Sequence, residues 1–382
     1  MFSRRTDWQL TPNRFTLAHQ KFLREGGEIL DLTLSNPTHA GITYDKEMVL
    51  NALNDPMSLD YDPQPKGLRS ARDAVAEYYG SGIDPESLVL TTSTSEGYSY
   101  VFRLLCNQGD EILVPKPSYP LFEFLADLQD VKLVPYPLIY DYGWQIDFPT
   151  LEQGITNRAR AIVLVNPNNP TGSYVSSEER LRLNALCNKS NLALIVDEVF
   201  LDYALDGNNH ESFATNREVL TFTLSGLSKI SALPQMKLAW IAVSGPAKVA
   251  SEAMHRLEII ADTYLSVNGA VQLAAKTLLQ QRASIQPQLI QRIHANLRQL
   301  HAHLAKQKSC TRLAAEGGWY AVLRVPVTRS DEDLAIELLE TKSVLVHPGH
   351  FYDFPSDGYL VLSLIVPDGM FSEGISRILA AI

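Results

Sequence analysis

Cysteine is scarce: a chain of 382 residues holds three, Cys106, Cys187 and Cys310, far apart in sequence. That number and spacing supply neither a disulfide framework nor a metal-ligand pattern, so no metal is expected. Basic residues are outnumbered, 33 Lys and Arg against 43 Asp and Glu, for a formal charge of −10. A surface of that sign repels phosphate backbones and argues against nucleic acid as a partner. No apolar run approaches the ~18 residues a membrane helix needs. The first ten residues are polar and lack the apolar core of a signal peptide. Repeats and low-complexity tracts are absent as well. What is there is a composition of 45% hydrophobic and 20% charged residues, close to the globular average, in a chain long enough for two or three domains. The expectation is a soluble, cytoplasmic protein with a large core.

The middle of the chain alternates short apolar runs with amphipathic stretches. The runs cover residues 88–91, 111–115, 131–138, 161–166, 192–196, 219–224 and 238–243, and most are rich in Val, Ile and Leu. Such runs suit strands covered on both faces. Between them lie helical patterns: 96–106 opens after Thr94 and Ser95, and 177–189 follows Ser176 with Glu178 and Glu179 in its first turn. The alternation predicts an α/β fold, a mostly parallel seven-stranded sheet with helices on both sides. Residues 270–306 read as helical with a break near Pro287. Beyond them come a strand at 319–325, a helix at 331–340, a strand at 359–366 and a terminal helix at 371–382, which is an α+β unit without the βαβ rhythm. The expected division is a large domain, 45–270, and a small α+β domain built from both ends, 1–44 and 271–382.

Four segments follow predicted strands, where open α/β sheets bind ligands. Asn166-Pro167-Asn168-Asn169-Pro170-Thr171-Gly172 is a rigid turn rich in amide groups; alone it would be an ordinary Asn/Pro turn. Asp197 closes the run Leu194-Ile195-Val196, where an acid is most simply a helix cap or a solvated charge. Lys229 follows Leu224-Ser225-Gly226-Leu227-Ser228, among small and apolar neighbours that favour a buried, uncharged amine able to condense with an aldehyde. Thr92-Ser93-Thr94-Ser95-Glu96-Gly97 opens a helix, and its free amides and dipole make either a capping box or an anion site.

Together these segments resemble the class I/II aminotransferases, fold-type I pyridoxal-phosphate enzymes, from about Leu30 to the C-terminus. The NPxNPTG string is the most specific, and Lys229 stands 32 residues after Asp197 and 60 after Asn169, much as in that family. The resemblance implies that Lys229 carries pyridoxal 5'-phosphate as an internal aldimine and moves the substrate's α-proton. It implies that Asp197 pairs with the ring nitrogen, that Asn169 holds the ring oxygen, and that Tyr119, in Pro117-Ser118-Tyr119-Pro120, stacks on the ring. Ser93, Thr94, Ser95, Ser228 and Lys237 would hold the phosphate, with Tyr61, ahead of Gly67-Leu68-Arg69, reaching it across a homodimer interface. Asn36, in Leu34-Ser35-Asn36-Pro37, would line the substrate side. The substrates would be amino and oxo acids.

Three departures stand out. Lys237 occupies a place where an arginine is usual, keeping the charge without the bidentate fork. Phe200 stands where a tyrosine often donates to the cofactor. Val361, in Tyr359-Leu360-Val361-Leu362-Ser363, replaces the arginine that binds the substrate carboxylate, and each lost charge-assisted hydrogen bond costs about 1.5–3 kcal/mol. Arg14 and Arg324 are substitutes by elimination, although each reads more simply as a surface arginine. His347 and His350 flank Pro348-Gly349 without a third metal-ligand motif and read as residues of a loop or substrate pocket. The main reading is an aminotransferase. Val361 motivates a second, a pyridoxal-phosphate lyase (β-elimination) or decarboxylase. A third is a non-catalytic module that binds the cofactor.

Overall fold

The central strands form because their side chains are covered on both sides: in Glu111–Lys116, Ala159–Val165, Ala193–Asp197, Thr221–Gly226 and Ala239–Ser244 nearly every residue is buried. A computed structural model describes residues 1–80 and 82–382. All seven apolar runs are strands, and the sheet has eight, because a three-residue edge strand, Trp144–Ile146, pairs antiparallel with Lys132–Tyr140. Thr221–Gly226, Ala193–Asp197, Ala159–Val165, Glu111–Lys116 and Lys132–Tyr140 run parallel in that order. Ala239–Ser244 enters antiparallel and brings Leu88–Thr91 back to the common direction at the other edge. The carboxyl ends of six strands therefore open on one crevice.

Helices cover both faces of this sheet. Thr94–Leu105 and Ala247–Asp262 bury Tyr98, Val101, Phe102, Leu257 and Ala261 on one side, and Ser177–Ser190 buries Leu183, Leu186 and Cys187 on the other. Ser176 and Glu179 close a reciprocal capping box, and Asn191 ends the helix in the left-handed conformation. Arg69–Tyr79 and Ala275–Gln280 pack beneath the Leu88–Thr91 edge.

A second core surrounds a four-stranded antiparallel sheet in the order Thr311–Arg312, Tyr320–Arg324, Tyr359–Ser363, His347–Pro348. Arg282–Leu304, Asp331–Lys342 and Asp368–Leu379 cover it, and Phe15, Leu32 and Ala40 from the chain's beginning share this core. Gly269–Leu273 and Ala275–Gln280 still pack with the large sheet, so the passage to the second core falls near residue 281 rather than 270. The helix Arg282–Leu304 runs unbroken through Pro287. The proline stands in its second turn, where one lost backbone bond is outweighed by burial of Ile285, Leu289 and Ile293.

Backbone bonds sew the two cores together around Gly172. The carbonyl of Gly172 accepts from the amides of Glu316 (2.9 Å) and Gly317 (2.8 Å). The amide of Leu205 donates to the Glu316 carbonyl at 2.7 Å, and that of Gly318 to Tyr203 at 2.9 Å. Gly172 has φ +70°, and a Cβ there would stand 2.4 Å from the Gly317 carbonyl oxygen, so the approach requires glycine. No helix among the described residues is long and apolar enough to cross a membrane.

Candidate functional site

Lys229 lies on a single helical turn, Leu227–Ile230, that starts directly off the strand Thr221–Gly226. Its backbone carbonyl accepts from the Tyr203 hydroxyl at 2.7 Å, which fixes the turn. The amine sits 5.0 Å over the ring of Trp319 and 5.7 Å over that of Phe200. Burial lowers its pKa to about 8, and the charge of Asp197 acts in the opposite sense.

Asp197 ends its strand inside the crevice and is buried. Its carboxylate accepts from the Val199 amide at 3.1 Å. Burial pushes it up to about 6, against the pull of the Val199 amide, the Tyr98 hydroxyl and the Lys229 charge. The next residue is a useful contrast. Glu198 is also buried and raised to about 7, yet its oxygens accept from the Phe213 amide (2.7 Å) and the Ser212 hydroxyl (2.5 Å). Glu198 is a structural acid that ties down a turn, whereas Asp197 is a carboxylate kept dry with few partners, as a group awaiting a ligand would be.

The Asn/Pro turn divides its amides in the same way. Asn166 accepts from the Val175 amide at 2.9 Å. Asn168 accepts from the Ser118 hydroxyl at 2.9 Å and donates to the Pro117 carbonyl and the Thr171 hydroxyl, locking the turn to the segment that carries Tyr119. Asn169 keeps a wholly buried Oδ1 with no partner. An orphaned polar atom of this kind marks a place for something polar.

Tyr119 follows the end of Glu111–Lys116, half-buried, with its ring 5.9 Å from Phe122. Burial, Asp197 and Tyr320 raise its hydroxyl to about 12. At the sheet edge, Ser93 caps Thr94–Leu105 by accepting from the Glu96 amide at 3.2 Å. Glu96 in turn accepts from the Thr92 amide (2.7 Å), the Thr92 hydroxyl (3.1 Å) and the Ser266 hydroxyl (2.8 Å). The amides of Thr94 and Ser95, at the start of the helix, have no intrahelical acceptor and face the positive end of its dipole. Ser228, beside Lys229, is half-buried.

Other expected residues are held in surroundings of their own. Tyr61 is 84% exposed, on the wall of a cavity of about 330 Å³ that Met57, Leu59, Tyr100 and Gln272 also line. Lys237 is exposed, with φ +51°, and forms no ion pair among the described residues. The Asn36 carboxamide oxygen caps the turn Pro37–His39, accepting from the Thr38 amide (3.1 Å) and hydroxyl (2.8 Å). Arg14 is exposed and paired with Asp333 at 2.7 Å, and Arg324 is exposed near the rings of Tyr140 and Tyr359. Val361 is buried between Val322 and His347 of the neighbouring strands. No three His, Cys, Asp or Glu side chains converge as metal ligands among the described residues.

Sequence reasoning missed Tyr98 and the aromatic wall. Trp319 and Phe200 meet edge to face at 5.3 Å, Tyr320 stands 6.2 Å from Phe200, and Tyr352 stands 6.5 Å from Tyr320. Only Tyr98 carried a local signal: it lies four residues after Thr94 on one helix, hence on the same face.

Comparison with known proteins agrees on one family. The sequence profile described as "Aminotransferase class I and II" matches residues 28–373. The glutamate-pyruvate aminotransferase AlaA of Haemophilus influenzae is 28% identical over 377 residues, covering 94% of this chain and 93% of that one. The alanine aminotransferase of Mycobacterium tuberculosis is 30% identical over 356 residues, covering 88% of this chain and 82% of that one. Among solved structures, an aminotransferase from Escherichia coli superimposes with a TM-score of 0.87 at 25% identity, covering 99% of this chain and 96% of that one.

Proposed function

Since the chain belongs to the class I and II aminotransferases and is a pyridoxal-phosphate-dependent enzyme of fold type I, we propose that it exchanges amino groups among alanine, glutamate and their 2-oxo acids, with Lys229 at the reacting centre. The observation that carries this reading is the Lys229 amine, enclosed by the rings of Trp319 and Phe200 and near enough to the buried Asp197 for each charge to act on the other. The names of the relatives, one a glutamate-pyruvate and one an alanine aminotransferase, support the substrate pair.

The residues present fit the cofactor. An unpaired carboxamide oxygen at Asn169, a dry acid at Asp197, a helix N-terminus at Thr94 and Ser95 and an aromatic face at Tyr119 follow neighbouring strand ends of the sheet that also bears the amine. Bound there, pyridoxal phosphate supplies an aldehyde and a ring that accepts electrons from the substrate's α-carbon. Lys229 would anchor the group through its amine and would move the proton at the substrate's α-carbon as general acid–base. Asp197 would keep a proton on the ring nitrogen, and Asn169 would orient the ring oxygen. Tyr119 would stack on the ring, while Ser93, Thr94, Ser95, Ser228 and Lys237 would receive the phosphate. The rings of Trp319 and Phe200 keep water from the amine. Asn36 lines the substrate side with its amide nitrogen, its oxygen being committed to the Pro37–His39 cap.

The test is a donor panel on the purified holoenzyme. L-Alanine and L-glutamate are expected to bleach the absorbance of the bound cofactor, and pyruvate or 2-oxoglutarate to restore it. Ammonia or carbon dioxide released without an acceptor would instead indicate elimination or decarboxylation.

The working unit is a homodimer. What supports this is an exposed apolar face with Leu59 at 89% and Tyr61 at 84%, beside the 330 Å³ cavity and close in sequence to Gly67-Leu68-Arg69. Leu59→Asp is expected to halve the mass in sedimentation and weaken cofactor retention at micromolar protein. The separation of the two cores supports a large cofactor-bearing unit and a smaller one made from both chain ends, with helices 269–280 belonging to the former. Three unpaired cysteines suit a reducing compartment, the cytoplasm.

A further inference from the structure

An amino acid or a 2-oxo acid carries a carboxylate next to the carbon that reacts, and an anion drawn into an aromatic cleft needs a donor there. Two nearby cations are already paired. Lys116 pairs with Asp353 at 3.1 Å and Arg292 with Asp368 at 2.7 Å. Arg324 stands at the exposed end of its strand, beside two rings.

His347 is placed differently. Strand pairing sets it directly across from Val361, which itself faces Val322, so its side chain shares a face with Tyr320 and Ser363. That face borders the reacting amine, because Tyr320 touches Phe200 and Phe200 underlies Lys229. The amide and hydroxyl of Ser363 donate to the carbonyls of Leu32 (2.8 Å) and Leu34 (2.5 Å), so the segment leading to Asn36 runs along it. His347 is half-buried. Its Nδ1 lies 3.1 Å from the Tyr352 hydroxyl, and the Tyr352 carbonyl accepts from the Ser118 amide at 3.0 Å, one residue before Tyr119. With that hydroxyl donating to Nδ1, Nε2 carries the proton, and it has no acceptor among the described residues.

We propose that His347 Nε2 receives the substrate's α-carboxylate and thereby selects acids over neutral amines, with Tyr352 as the positioning residue that fixes the imidazole. Burial holds the free ring neutral against the pull of Asp31, so an arriving anion meets a neutral N–H donor. The assignment rests on the aminotransferase reading above.

The experiment compares the wild-type holoenzyme with His347→Phe, His347→Gln and Tyr352→Phe. Each is given L-alanine or L-glutamate, whichever wild type takes faster, and the matching α-carboxamide, L-alaninamide or L-isoglutamine. His347→Phe is expected to raise KM and to lower kcat/KM for the acid about 10- to 100-fold, to leave the carboxamide nearly unchanged, and to retain the absorbance of bound cofactor. His347→Gln should recover part of the acid preference, and Tyr352→Phe should lose less of it. Equal losses for acid and carboxamide, or no loss for either, would overturn the role of His347 alone. Wild-type enzyme that turns over no donor would sink the aminotransferase reading, and this assignment with it. A His347→Phe protein that does not fold leaves the decision to Tyr352→Phe, whose unchanged acid preference would count against the proposal.

Discussion

Lys229→Ala is expected to abolish amino transfer, lowering kcat by about 10⁴-fold or more, since general acid–base catalysis alone is worth about 10²–10⁴ and the covalent anchor of the cofactor is lost with it. The side chain makes no ion pair, and its surroundings are the rings of Trp319 and Phe200, so truncation should leave the fold intact. Circular dichroism and a thermal melt check that, while single-turnover absorbance with L-alanine or L-glutamate reads the chemistry. Lys229→Arg is expected to fail equally, because a guanidinium stays charged at any working pH. The amine also dictates a pH dependence. Its folded pKa, about 8, lies below the ordinary 10.5, so the uncharged form grows as pH rises through 8. Cofactor-free protein should therefore take up pyridoxal phosphate faster from pH 7 to 9 and level off above. A rate independent of pH across that window would show that the amine is not the group that reacts.

Asp197→Asn is expected to move activity and stability in opposite directions. Loss of a fixed charge inside a dry cleft costs about 10²–10³ in kcat in comparable electrostatic sites, read by the same single-turnover assay. Stability follows from the raised pKa. The carboxyl titrates near 6 when folded and at the ordinary 3.8 when unfolded, so above pH 6 the folded chain bears an ionised acid it would rather keep neutral. That burden is of the order of 3 kcal/mol, absent below the unfolded pKa and complete above the folded one. An asparagine carries no such burden, so at pH 7.5 the cofactor-free variant should unfold at a higher denaturant concentration than wild type, with the gap closing toward pH 4. A less stable variant would mean that Asp197 is a structural acid like Glu198.

How far the sequence foretold this differs between strands and cleft. The seven apolar runs were legible because strands covered on both faces cannot avoid continuous Val, Ile and Leu. Trp144–Ile146 was not, because three residues with only alternate burial fall below any periodic signal. The turns bearing Asn169, Asp197 and Lys229 were legible as strand ends, whose chemistry stands out against apolar neighbours. Trp319 was not: an apolar residue opening a strand looks the same whether it fills a core or roofs an amine. Tyr320 is brought to the wall only through strand pairing between segments far apart in sequence, whereas His347, in its His-Pro-Gly-His loop, is legible as a loop or pocket residue. The boundary shift from 270 to 281 has a similar cause, since an amphipathic helix does not say which of two cores will receive it.

The seam at Gly172 does not stand alone. With Gly172, Glu316, Gly317 and Tyr203 knotted by backbone bonds beside Trp319, and with Ser118 bonded to Tyr352 and Lys116 paired with Asp353 beside His347, the smaller body is pinned to the larger on two flanks of the reacting amine. The ring roofing Lys229 and the histidine facing it are thus held at a fixed separation before any ligand arrives.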